Sequence, residues 1–117
     1  MKSDHELLEA AAKAAGLPIE FDEGTCNGWW PNGRTSTGDV DEWWNPLTDD
    51  GDALRLAVKL GLCVDTGAMC HWGMVTFISG QYWRRSGLTG FGEETHGDDP
   101  LGATRRAIVR AAAAMAG

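Results

Sequence analysis

The residues of this chain that could hold a metal are its cysteines and one histidine. Cys26, Cys63, Cys70 and His71 would offer three thiolates and an imidazole, a donor set that zinc accepts. The spacing argues against a structural zinc site, because Cys63 and Cys70 are separated by six residues and the histidine directly follows one of them. Zinc knuckles bring their ligands in close pairs. We therefore predict neither a metal site nor a cofactor.

Acid–base chemistry is the second possibility that the residue types suggest. Residues 93–99 hold four acids and one histidine, but nothing in their spacing fixes a geometry, and the last two acids precede Pro100 as residues at a helix start do. The glycine-rich run 87–92 is followed by acids, whereas a phosphate loop needs a lysine and a hydroxyl at that place. We predict no catalytic residue and no enzyme activity.

Tryptophan is the unusual part of the composition, with six in 117 residues and two adjacent pairs, Trp29–Trp30 and Trp43–Trp44. Neighbours in an extended segment face opposite sides, so one ring of each pair is a candidate for exposure. Exposed indoles are frequent interface anchors. The alternative that these rings are ordinary core stays open.

Charge is unevenly distributed along this acidic chain, whose formal net charge is −7. Residues 1–53 carry twelve acids against three bases, a net of −9, and residues 54–117 carry five acids against seven bases, a net of +2. This balance disfavours direct binding to duplex DNA and fits a basic partner such as a nucleic-acid-binding protein, although solubility alone would also explain it. The predicted partner-binding residues are Trp29, Trp30, Asp39, Asp41, Glu42 and Trp43.

A different binding hypothesis assigns the chain a small nucleotide signal. Arginines would contact the phosphates and tryptophans would stack on the bases. The residues predicted for this alternative are Arg84, Arg85, Arg105 and Arg106.

The compartment follows from the cysteines and the N-terminal segment. Three cysteines without framework spacing, and an amphipathic rather than apolar start, predict the cytoplasm. No apolar run approaches the roughly 20 residues of a membrane span, so we expect no contact with a bilayer. A homo-oligomer stays open.

Three helices must position these residues. Ser3 and Glu6 form a capping box for the first, Thr48 and the acids after it open the second, and Pro100 begins the third. Two glycines, Gly16 and Gly61, end the first two helices. Leu54 and Val58 are predicted to widen the buried face of the second helix, and Leu101 is predicted to lie on the buried side of the third.

Extended segments lie between the helices. We predict a strand near Phe21, a long loop or irregular hairpin over residues 23–42, a strand from Leu62 that turns at Gly67, and a hairpin of residues 73–78 and 81–85. The order predicts one α+β domain spanning residues 1–117. It is an α/β/α sandwich of three helices with a short, mostly antiparallel sheet.

Three segments resemble a known family. Residues 4–16, 44–62 and 98–111 are similar to the phage ABA sandwich domain, a family of small tailed-phage proteins, and more distantly to NinX-like phage proteins. The resemblance implies an α/β/α sandwich and a phage origin, and it implies no reaction. It suggests a phage accessory protein that acts by binding and inhibits a host defence complex such as a CRISPR effector. An accessory role without inhibition stays open.

Overall fold

The computed structural model describes residues 3–22, 28–31, 42–70, 73–79 and 92–116. Within these ranges the chain forms three helices and six strands, in the order α1 (Asp4–Ala15), β1 (Glu20–Phe21), β2 (Gly28–Trp30), β3 (Glu42–Trp44), α2 (Asp50–Leu60), β4 (Cys63–Cys70), β5 (Gly73–Ser79), β6 (Gly92–Thr95) and α3 (Pro100–Met115). The predicted α+β fold of three helices with a short antiparallel sheet is confirmed.

Helix α1 begins and ends where its sequence predicts. The Ser3 hydroxyl accepts a hydrogen bond from the Glu6 amide at 3.2 Å, and Gly16 ends the helix in the left-handed conformation at φ 68°. Glycine takes this conformation without the steric penalty that a Cβ brings.

Helix α2 begins one residue later than the sequence suggests. The N-cap is Asp49, whose carboxylate accepts from the Asp52 amide at 2.8 Å, and not Thr48. The Thr48 hydroxyl contacts the Asn45 carbonyl instead, in the turn that leads out of β3. A hydrogen bond inside the turn stabilises it, since the Asn45 side-chain oxygen accepts a hydrogen bond from the Leu47 amide at 3.0 Å.

Helix α3 is capped by the second of the two aspartates that precede it. Asp99 accepts a hydrogen bond from the Gly102 amide at 2.9 Å, with Pro100 in the first turn. This helix packs against α1, α2, β5 and β6 and so joins the two ends of the chain.

The strands form two three-stranded antiparallel sheets, where the sequence suggests one. The N-terminal sheet has the order β1–β2–β3 and the C-terminal sheet the order β4–β5–β6. Strand β3 ends before the buried Pro46, which has no amide hydrogen to extend a ladder, and the chain then enters α2 before β4 begins. Among the described strands, those before α2 pair only with one another, and those after α2 do the same.

Among the described residues, the buried core is formed by the three helices and by Trp44 of β3. Most of its helical positions are alanines, which allow helices to approach one another closely, and the buried members of the cluster are Leu8, Ala11, Ala12, Ala15, Trp44, Ala53, Leu56, Ala57, Ala107, Ile108, Val109, Ala111 and Ala112.

Three aliphatic residues predicted to be buried are exposed: Leu54, Val58 and Leu101. On α2 the buried stripe follows Ala53, Leu56 and Ala57, and packing partners cover only that side of the helix. The prediction for these three residues was wrong because apolar spacing does not show how much of a helix its neighbours cover.

Two features of the C-terminal sheet also differ from prediction. Strand β4 does not turn at Gly67 but continues to Cys70 with a register irregularity between Asp65 and Ala68. Strand β6 was not predicted, because residues 92–95 lack the β-branched and aromatic pattern of a strand. The predicted strand 81–85 lies outside the described residues.

Candidate functional site

The N-terminal sheet places the two members of each adjacent tryptophan pair on opposite faces. Trp29 lies opposite Trp43 in the strand register, and their rings meet edge to face at a centroid distance of 6.3 Å. Trp43 is 68% exposed, whereas its neighbour Trp44 is 2% exposed. The prediction that one ring of each adjacent pair is a candidate for exposure is therefore confirmed for this pair.

The exposed side of this sheet also carries an acid. Glu20 lies opposite Trp29 in the register of β1 and β2 and is exposed. We call Glu20, Trp29 and Trp43 the outer aromatic face. Sequence reasoning did not predict Glu20 as a binding residue. Its position beside Trp29 follows only from the strand register, which the sequence does not reveal.

The other side of the sheet packs on α1. The Phe21 ring meets Trp44 at 6.3 Å and His5 at 5.5 Å, both edge to face. Gly28 makes this packing possible, because a Cβ there would lie 2.9 Å from the Phe21 ring. His5 is oriented further by Glu9, whose carboxylate lies 2.6 Å from its Nε2.

A pocket of about 300 Å³ opens where this inner side meets α2. Its apolar lining comes from two indoles and two leucines, and two cations complete it: Trp30, Trp44, Leu17, Leu56, Arg55 and Lys59. The indole Nε1 of Trp30 is covered from solvent and has no hydrogen-bond partner among the described residues. We call this the indole pocket.

Arg55 is held in place by the start of its own helix. Its Nη2 lies 2.8 Å from the carboxylate of Asp52, which is 5% exposed, and 3.8 Å from that of Asp49. The second oxygen of Asp52 accepts from the Asn45 amide at 2.9 Å. One buried carboxylate therefore ties the end of the N-terminal sheet to the pocket arginine.

The pocket cations are not the ones that the sequence suggests as phosphate contacts. Arg105 donates from Nε to the Leu47 carbonyl at 2.9 Å and from Nη1 to Asp50 at 2.6 Å, so it joins α3 to the turn before α2. Arg106 is exposed, and neither arginine lines the indole pocket. Sequence reasoning missed Arg55 and Lys59, although their spacing of four places both on one side of a helix, beside Leu56.

The remaining predicted binding residues are only partly described. Glu42 begins β3 and lies opposite Trp30 in the register. Four other predicted residues lie outside the described residues: Asp39, Asp41, Arg84 and Arg85.

Two members of the acidic run 93–99 have structural partners. Glu94 lies 2.6 Å from Arg110 on α3, and Asp99 caps that helix. Among the residues that the structure describes, no three His, Cys, Asp or Glu side chains lie together as metal ligands would. Cys63 is an exposed free thiol, while Cys26 and His71 lie outside the described ranges, so the absence of a metal site stays a prediction.

No helix in the described part of the chain is long and apolar enough to cross a membrane. Comparison with protein-family models, curated proteins and solved structures gave no match. The resemblance to phage ABA sandwich proteins therefore stays a hypothesis.

Proposed function

We propose that this is a phage accessory protein that acts by binding in the host cytoplasm, without catalysis, and that it inhibits a host defence complex such as a CRISPR effector. The partner contacts the outer aromatic face. The exposure of Trp43, packed edge to face on Trp29, is the observation that carries the proposal.

The tryptophan pair has the properties of an interface anchor. An aromatic ring buries on the order of 150 Å² or more in a contact, and at about 25 cal/mol per Å² this is worth about 4 kcal/mol before the costs of association. The edge-to-face contact with Trp29 restricts the orientations of the Trp43 ring before binding, which lowers the side-chain entropy lost in the complex.

Charge supports a basic partner. Glu20 lies on the same face, and the first 53 residues carry twelve acids against three bases. Complementary charge raises association rates and selects partners with a basic groove, which is what a nucleic-acid-binding effector offers.

The test is phage plating on strains that carry an active defence complex, with and without the protein expressed. Wild type should restore plaque formation against at least one complex, and Trp43→Ser should remove the effect. Leu101→Ser is the matched control, because Leu101 is 63% exposed in the first turn of α3 and does not belong to the outer aromatic face.

Binding to the purified complex gives the second readout. Loss of a central interface tryptophan costs on the order of 2 kcal/mol or more, which is about 30-fold in affinity. Restoration of plaques by Trp43→Ser at the wild-type level would contradict the proposed contact face, and failure of wild type against every complex would contradict inhibition.

A further inference from the structure

We infer that the indole pocket binds a small ligand that combines a flat aromatic ring with an anionic group. This inference is independent of the proposed partner contact, since Trp43 belongs to the opposite face of the sheet and does not line the pocket.

The volume and the lining of the pocket favour a ligand with a flat aromatic ring. Its volume of about 300 Å³ is at the lower end of the range for small-molecule sites, which is roughly 300–1,000 Å³. Two indoles and two leucines form its apolar part. Offset or edge-to-face contact with indoles favours a planar aromatic group over an aliphatic one.

The two cationic side chains of the pocket favour a ligand with a negative charge. Arg55 and Lys59 are four residues apart on α2, so they lie on the same side of the helix. Arg55 already pairs with Asp52, whereas no described carboxylate pairs with Lys59. An anion in the pocket would therefore gain its main attraction from Lys59 and would share the Arg55 guanidinium with Asp52.

Arg55 is preorganised for such a contact. The buried carboxylate of Asp52 holds its Nη2, and the guanidinium lies against Gly51, where a Cβ would approach Nη2 to 3.1 Å and Nη1 to 3.2 Å. A group fixed before binding loses less conformational freedom when the ligand arrives.

Nuclear magnetic resonance of the full ¹⁵N-labelled chain tests the inference, because each tryptophan gives its own indole N–H signal. Two matched pairs of probes are titrated: adenosine monophosphate with adenosine, and indole-3-acetate with indole-3-acetamide. We expect the anionic member of at least one pair to bind with a Kd below about 1 mM and the neutral member to bind at least about tenfold more weakly.

The signals and the variants locate the site. The indole signals of Trp30 and Trp44 should move most, and Lys59→Gln should weaken binding about two- to fivefold, as expected for one partly exposed ion pair. Lys13→Gln is the matched control, an exposed lysine on α1 away from the pocket lining, and should bind as wild type does.

The two probe pairs distinguish a nucleotide ligand from an aromatic carboxylic acid ligand. The inference is overturned if neither anion binds below about 1 mM, if the neutral probes bind equally well, if other indole signals move instead, or if Lys59→Gln behaves as Lys13→Gln does.

Discussion

Replacing Asp52 with alanine should lower the free energy of unfolding more than any exposed acid would. This carboxylate is 5% exposed, accepts from the Asn45 amide at 2.9 Å and holds Arg55 at 2.8 Å. It therefore connects three parts of the molecule: the end of β3, the first turn of α2 and the indole pocket.

The expected magnitude follows from treating two contacts of the Asp52 carboxylate separately. A hydrogen bond from a backbone amide to a charged acceptor is worth about 1.5–3 kcal/mol, and the part-buried Asn45 amide would lose it. The Arg55 pair adds only about 0–1 kcal/mol, because more than half of the arginine side chain is exposed to screening water. We expect a loss of about 1.5–4 kcal/mol in total.

Urea unfolding followed by tryptophan fluorescence measures the loss. With a slope of about 2 kcal/mol per M, the midpoint should fall by about 1–2 M. Asp52→Asn keeps the shape and one carbonyl acceptor, so its loss should be about half as large.

Asp98→Ala is the matched control, since Asp98 is exposed in the turn before α3, and exposed substitutions of this kind usually stay within about 0.5 kcal/mol of wild type. If Asp52→Ala unfolds at the same urea concentration as Asp98→Ala, the reasoning about the buried carboxylate is wrong.

Three further substitutions test the packing around the site. Gly28→Ala should lose about 1–3 kcal/mol in urea unfolding, because its Cβ would meet a phenylalanine ring at 2.9 Å, and wild-type stability would contradict that close contact. Gly61→Ala should lose about 1–2 kcal/mol in thermal unfolding, because φ is 66°. Gly67→Ala serves as its control, because a Cβ there meets only Asp65 Oδ1 at an ordinary 3.8 Å and φ is not positive. Arg105→Gln should cost about 1–2 kcal/mol, and a double-mutant cycle with Asp50→Asn should assign less than about 1 kcal/mol to their ion pair, since Asp50 is largely exposed. A larger coupling energy would show that the ion pair, and not the backbone carbonyl bond, holds the helix.

The sequence predicted the helices well because their ends depend on local chemistry. Ser3, Gly16, Gly61 and Asp99 act within a few residues of themselves, so their roles could be read before any tertiary contact was known. The error at Thr48 has the same origin, because a hydroxyl and the aspartate after it are both good caps and the turn geometry decides between them.

The two sheets and the indole pocket could not be predicted in the same way. Pairing between strands depends on contacts distant in sequence, and β6 carries almost no strand signal of its own. The pocket joins Leu17, Trp30 and Arg55, three residues from separate elements, so neither periodicity nor motif brings them together. The sequence predicted phosphate-binding arginines from their charge, and charge does not show which arginines have structural partners. Arg105 is bonded to the Leu47 carbonyl and to Asp50.

Adjacent tryptophans give the N-terminal sheet two aromatic surfaces from two short segments. Because side chains alternate along a strand, Trp29 and Trp43 face outward while Trp30 and Trp44 line the pocket. A shift of the register by one residue would exchange the two surfaces, and the close contact of Gly28 with the Phe21 ring opposes such a shift. The packing that fixes this register therefore also keeps the proposed partner surface and the proposed ligand pocket on separate sides of one sheet.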